Sequence, residues 1–335
     1  MPIRKPMKPL RLCISLFAVA GLLAGCAQGA FSTQEARIGP NDSTDPCRAQ
    51  LVALDSTGNY FGTQILTGAA VGAVAGGALG ALIGRDWKGA LIGAAAGGAL
   101  GAAGGYWSAL QQQQHDQAGM FTQVSSDLAR ENTNIDRTQQ AFDQLMDCRF
   151  RQAQAIRVDY KAGRIDRSLA EARMGTVKQH VQHDLALAKQ INGQIQGRSE
   201  QFEVAADNLA PGTKTAIATQ APAPRPATVR RAAPLKLQPD PAAADIGQLN
   251  ASDPVIVTPS RSGYVLVQTP SGARGYAPAS AIQGATGSAP LLSSGGSGGN
   301  DVRMLAGSNA ARRDSFSQSV AVSEQAAASG FELAS

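Results

Sequence analysis

The chain has 335 residues, room for two or three domains, but aromatic residues make up only 5% and glycine and alanine are abundant, which argues against one large enzyme-like core. The formal charge of +5 sits partly at the N-terminus and partly around Arg225, Arg230 and Arg231, so it is not read as a nucleic-acid-binding surface.

Arg4, Lys5, Lys8 and Arg11 form a basic head, and residues 12–25 carry no charge. A basic head before an apolar stretch shorter than a membrane span is the pattern of a cleaved secretory signal. The stretch ends Leu23-Ala24-Gly25-Cys26, which resembles the lipobox of bacterial lipoproteins. That resemblance implies removal of residues 1–25 and acylation of Cys26. Ala27 and Gln28 follow where an aspartate would signal inner-membrane retention, so it further implies a lipid anchor in the outer membrane and a largely periplasmic chain. The other reading is an ordinary signal with an incidental cysteine. Cys13 leaves with the signal, which leaves Cys47 and Cys148 over. An even pair in an oxidising compartment is a disulfide candidate; two separate buried thiols are the alternative. Asp45-Pro46 would start a short helix carrying Cys47 within a lipidated linker over 26–63.

Residues 68–84 and 89–105 are an internal repeat, identical at 12 of 17 positions. Gly68, Gly72, Gly76, Gly80 and Gly84 recur every four residues, and Gly89, Gly93, Gly97, Gly101 and Gly105 do the same. On a helix each row forms one groove along which a second backbone can approach closely. With its flanks, each copy offers about 20 uncharged residues, about 30 Å as a helix. Arg85-Asp86-Trp87-Lys88 is a charged turn between them, and Tyr106 and Trp107 would mark the other interface. The pattern resembles the glycine-zipper two-span family of envelope lipoproteins and surface antigens. The resemblance implies a transmembrane helical hairpin over 64–110 that packs on itself or on other copies, as a homo-oligomer. A flexible Gly/Ala linker is the opposing reading, and it conflicts with the absence of Ser and Pro.

Over 111–208 the spacing predicts a stalk of two antiparallel heptad helices. Phe121, Leu128, Ile135, Phe142 and Ile156 hold the first seam with Val124 and Leu145; Glu131 and Thr138 dilute it and Arg149 interrupts it. Gly163 breaks the pattern, and Ser168-Leu169-Ala170-Glu171 reads as a capping box for the second helix. There Met174, Val181, Ala188, Ile195 and Phe202 step by seven, with Val177 and Ile191 beside them. His180 and His183, next to Asp184, read as solvated helix residues, and neither metal nor cofactor is expected.

Residues 209–232 read as a Pro/Ala linker. Short β-branched or alternating runs at 235–237, 255–257 and 264–267, then Gly275-Tyr276, predict a small all-β module over 233–283. With the proline-containing loop Leu237–Pro241, it resembles the bacterial SH3-type domain, which implies a barrel that binds peptidoglycan or an envelope protein. Tyr264 and Tyr276 are the candidate ligand-binding residues, with core tyrosines as the opposing reading. Residues 284–335, rich in Ser, Gly and Ala, read as a disordered tail. The fold class expected is therefore multi-domain and mainly α. No nucleophile motif, phosphate loop or plausible carboxylate pair is found, so a non-enzymatic role is expected. The leading reading is a scaffold tethering an outer membrane to peptidoglycan; an accessory oligomeric subunit of a secretion or surface-assembly complex is second, and a pore-forming protein third.

Overall fold

The structure, a computed structural model, describes residues 33–62, 105–114, 116–220, 222–285 and 299–333. Cys26, the zipper glycines from Gly68 to Gly101 and the turn at 85–88 lie outside the described residues.

The heptad helices are α3 (Gln117–Lys161) and α4 (Arg167–Leu209), numbered after two earlier helices taken up below. Each opens on an aspartate whose carboxylate accepts from an otherwise orphaned backbone N–H: Asp116 from Gly119 at 2.7 Å and Asp166 from Leu169 at 2.8 Å. The second cap is thus Asp166, not Ser168, and Glu171 instead pairs with Arg167. Between the helices Gly163 adopts φ +70°, a left-handed conformation that glycine tolerates without a Cβ penalty. Leu128, Ile135, Phe142 and Leu145 meet Val177, Val181, Ala188, Ile191, Ile195 and Phe202 in buried cores.

α1 (Gln34–Ile38) and α2 (Arg48–Gly62) precede this pair in the chain. α2 runs antiparallel to α3, with Cys47 at Cys148 at one end and Tyr60 near Glu131 at the other. It lies close to α4: a Cβ on Gly58 would stand 2.2 Å from Ile191 Cδ1, so only glycine permits this approach. A helical segment over 105–113 packs on the same two helices further along, with the Tyr106 ring 5.0 Å from that of Phe202.

α5 (Thr213–Gln220) follows α4, and α6 (Gly299–Ser329) closes the bundle, parallel to α3 and antiparallel to α4. Asn309 donates to Asn132 and Arg312 pairs with Asp136, while Arg313 pairs with Glu203 and Lys189 with Glu324. The Phe316 ring lies 5.6 Å from Phe142 and that of Phe331 5.2 Å from Phe150. The expected disordered tail is therefore corrected for 299–333. Its buried residues Val302, Ala306, Ala310, Phe316, Val320 and Val322 are scattered among Ser, Gly and Ala, so composition hides a helix whose small side chains let it sit close to its neighbours.

The linker reading is corrected as well, because 209–232 contains α5 and a strand. The strands are β1 (Arg225–Thr228), β2 (Ala233–Lys236), β3 (Asp245–Leu249), β4 (Pro254–Pro259), β5 (Tyr264–Gln268) and β6 (Arg274–Pro278). They form one antiparallel sheet in the order β1-β4-β5-β6-β2-β3, followed by a 3-10 turn at Ala279–Ala281. Side chains alternate between faces. Val265, Val267 and Ala277 join Leu235, Leu249, Val255 and Val257 in the sheet's own core. Tyr264, Leu266 and Tyr276 point the other way, into the core shared with α3 and α6. The architecture is mainly helical with a small antiparallel sheet docked on the bundle. Among the described residues, no helix is long and apolar enough to cross a membrane.

Candidate functional site

The described chain stops at Gly62, where the zipper flank begins, and resumes at Gly105. A Cβ on Gly62 would lie 3.5 Å from Gln194 Nε2, and Tyr106 packs on Phe202. Those α4 positions are about 12 Å apart along a helix. Gly62 and Gly105 therefore lie in one region of the bundle, near the start of α3 and the end of α4. The chain's early residues head the same way. Arg37 binds Asp55 through Nε at 2.6 Å and Nη2 at 2.8 Å, and Gln34 reaches the same carboxylate at 3.4 Å. Arg48 in turn holds the carbonyls of Ile38 and Gly39. α1 thus folds back along α2, with its first residues toward the zipper side.

Three clusters fix this root. Cys47 and Cys148 form a disulfide with S–S 2.00 Å and Cα–Cα 5.9 Å. Beside it Arg149, fully buried, donates from Nη1 and Nη2 to Asp45 at 2.5 and 2.9 Å and from Nε to Asp184 at 2.8 Å. One guanidinium thereby joins the segment before α2 to α3 and α4. Burial opposes the charged form of Asp45, but the bonds from Arg149 and from the Cys47 N–H outweigh it and hold the carboxyl below its usual range. His180 Nδ1 lies 3.2 Å from Arg149 Nη1, so this histidine is a cluster neighbour, contrary to the solvated reading. His183 remains exposed, and its Nδ1 is 3.8 Å from Asp184. Among the described residues no group of acidic, histidine or cysteine side chains is placed to hold a metal.

Nearer the zipper, Arg198 forms a two-pronged bond with buried Glu131 at 2.8 and 2.7 Å. Its guanidinium lies 4.9 Å from the Tyr60 ring centroid, in cation–π range. On the returning side the Tyr106 hydroxyl donates to Asp127 at 2.9 Å, and burial, then that carboxylate, pushes its ionisation upward. Tyr106 is fully buried, so it is corrected from a membrane-interface marker to a bundle anchor, and Gly105 with it belongs to the bundle rather than to an apolar span. Trp107 packs partly buried beside it.

The ligand-binding reading of Tyr264 and Tyr276 is corrected too. They are 8% and 1% exposed, because the face that carries them is covered by the helices. The joint is polar at its rim. Arg261 binds Asp143 at 2.9 Å, Gln238 donates to the Asp143 carbonyl, and the Ala244 N–H donates to Asp147 at 2.9 Å. Burial pushes the Asp143 carboxyl up to about 6 despite the Arg261 charge. A polar groove of about 570 Å³ runs along this rim.

Asp45, Asp184, Glu131 and Arg198 were not marked from the sequence as site residues. The available signal was charge at heptad core positions. Heptad spacing alone makes Arg149 an interruption and Glu131 a dilution, whereas a charge on a buried seam requires a buried partner.

Residues 49–109 match the YMGG-like Gly-zipper family. The chain thus carries a glycine zipper, and the matched stretch reaches past the glycine rows into α2 and the 105–113 segment. No curated protein and no solved structure matches the chain.

Proposed function

We propose that the chain is a non-enzymatic cell-envelope lipoprotein, held on the outer membrane by acylated Cys26 and a zipper hairpin, that presents the helical bundle and its docked SH3-type module to peptidoglycan or an envelope protein. The observation that carries this reading is the convergence of both tethers on one side of the bundle. The zipper flanks emerge about 12 Å apart along α4, and α1 begins on that same side, with Gln34 at Asp55. Only 27–32 separate Cys26 from Thr33, a reach of at most about 25 Å. A lipid and a hairpin with these roots can enter the same leaflet without strain on the fold. The disulfide fits an oxidising periplasm. With Tyr264 and Tyr276 covered, contact with the wall falls to the part of their face that the helices leave open, where Ile256 is exposed, and to the groove rim.

Carbonate extraction of membranes tests the two anchors. Residues 1–26 are replaced by an ordinary cleavable secretory signal, which removes the lipid. That protein is expected to stay in the membrane through its zipper, and direct joining of Gly62 to Gly105 in the same background is expected to release it. Release by the first change alone would refute a spanning hairpin. Co-sedimentation of the detergent-solubilised chain with peptidoglycan sacculi tests the wall contact; no pelleting would favour the accessory-subunit reading. Gly72→Leu with Gly93→Leu is expected to disperse any zipper oligomer on a sizing column.

A further inference from the structure

The disulfide is not uniformly closed in. Cys47 is fully buried, whereas Cys148 is only partly buried and lines an open pocket of about 320 Å³ on the seam between α2 and α3. Gln50, Gln144, Asp147 and Arg151 complete its wall. Two features suit this pocket to a visiting polypeptide. Gln50 lines the wall, and its buried Oε1 has no hydrogen-bond partner among the described residues, so a turn of the side chain into the pocket would offer an acceptor to a donor such as a backbone N–H. Arg151 and Asp147 pair across the rim and supply one charge of each sign.

We infer that this pocket is a thiol–disulfide exchange site, at which a dithiol oxidoreductase of the same compartment attacks Cys148 and not Cys47. The partner's thiolate approaches Cys148 Sγ through the pocket and forms a new S–S bond to it. The Cys47–Cys148 bond breaks, its electron pair leaves on Cys47 Sγ, and Cys47 takes up a proton. The partner's second thiolate then attacks the partner sulfur of the mixed disulfide and releases Cys148 as a thiolate. Two electrons pass from the dithiol to the chain, and the same steps in reverse install the bond. In-line attack at Cys47 is closed off because no path from solvent reaches that sulfur. The bond so controlled closes the loop that contains the whole zipper, its ends 101 positions apart. The site stands whether or not the zipper spans a membrane.

The test uses the full chain in non-ionic detergent with glutathione as the probe thiol. Samples are quenched with acid and N-ethylmaleimide, and the glutathione adduct is located by peptide mapping. At least ten times more adduct is expected on Cys148 than on Cys47, with an opening rate proportional to glutathione concentration under native conditions. Adduct shared evenly, or found mainly on Cys47, would overturn the assignment. A rate independent of glutathione would overturn it as well, because exchange would then wait for unfolding and the pocket would play no part. Gln50→Leu is expected to leave the glutathione rate within twofold but to slow reduction by a dithiol oxidoreductase such as thioredoxin at least threefold; equal effects on both would remove Gln50 from the docking surface.

Discussion

Replacing Arg149 by methionine keeps most of the side-chain volume and deletes the charge. Asp45 and Asp184 then remain 8% and 0% exposed, with three charge-assisted bonds gone and no cation between them. Breaking a buried ion pair by removing one partner costs about 3–5 kcal/mol, mostly as the penalty of the stranded charge. At a urea slope of about 3 kcal/mol per M, the unfolding midpoint should fall by about 1–2 M. The assay is helix content by circular dichroism against urea, in detergent, for the wild type and Arg149→Met. The pH dependence adds a sign. The folded Asp45 carboxyl sits below its ordinary value, so its contribution in the wild type is present above that value and is lost as pH falls through the folded one. In the variant a stranded buried carboxylate escapes its penalty by taking a proton. The gap between the two proteins should therefore be widest near pH 7 and shrink as pH drops toward about 4. A loss below about 1 kcal/mol, or a gap that does not change with pH, would refute the view that Arg149 is the electrostatic centre of the root.

Cys148→Ser should lower stability by about 4–5 kcal/mol in the same assay, since loop-closure entropy for about 100 residues sets that scale; a loss under about 1 kcal/mol would mean that the packed helices already restrain the unfolded chain. Gly58→Ala places a methyl against Ile191, so about 1–3 kcal/mol of overpacking should exceed the helix-propensity gain of about 1 kcal/mol. Ile191→Ala in the same chain should cancel part of that loss, and a double-mutant cycle measures how much. Asp143 should titrate near 6 by carboxyl carbon shifts. Because its folded value is raised, its contribution favours the fold at low pH and is lost as pH rises through about 6. Asp143→Asn should remove that part of the pH profile, and an unchanged profile would discard it.

How much was legible in the sequence varied with what each residue had to signal. The α3–α4 pair was readable because seven-residue spacing survives even where individual positions are polar, and Gly163 punctuates it. Helix α6 was not, since Val302, Phe316 and Val320 are too sparse among small residues to stand out from a low-complexity tail. The sheet was placed by its β-branched runs, but β1 (Arg225–Thr228) contains a proline and no such run; its strand character comes from pairing with β4. Tyr264 and Tyr276 illustrate the limit for sites. Alternation shows that both lie on one face of the sheet, yet not whether that face meets solvent or the helices. For Cys47 and Cys148, the sequence left two thiols or one bond open, and only the antiparallel run of α2 along α3 brings them together.

The way α2 is mounted also sets its response to mechanical load. Force applied at Gly62 along the axis of α2 runs parallel to its contacts with α3 and α4. Such a pull shears the Tyr60–Arg198 and Gly58–Ile191 contacts in parallel, whereas a perpendicular pull would peel them open in sequence. Cys47 lies at the far end, about 22 Å from Gly62, so the covalent bond takes up tension only after the helix has begun to yield. The root is built as a lap joint with a rivet at its inner end.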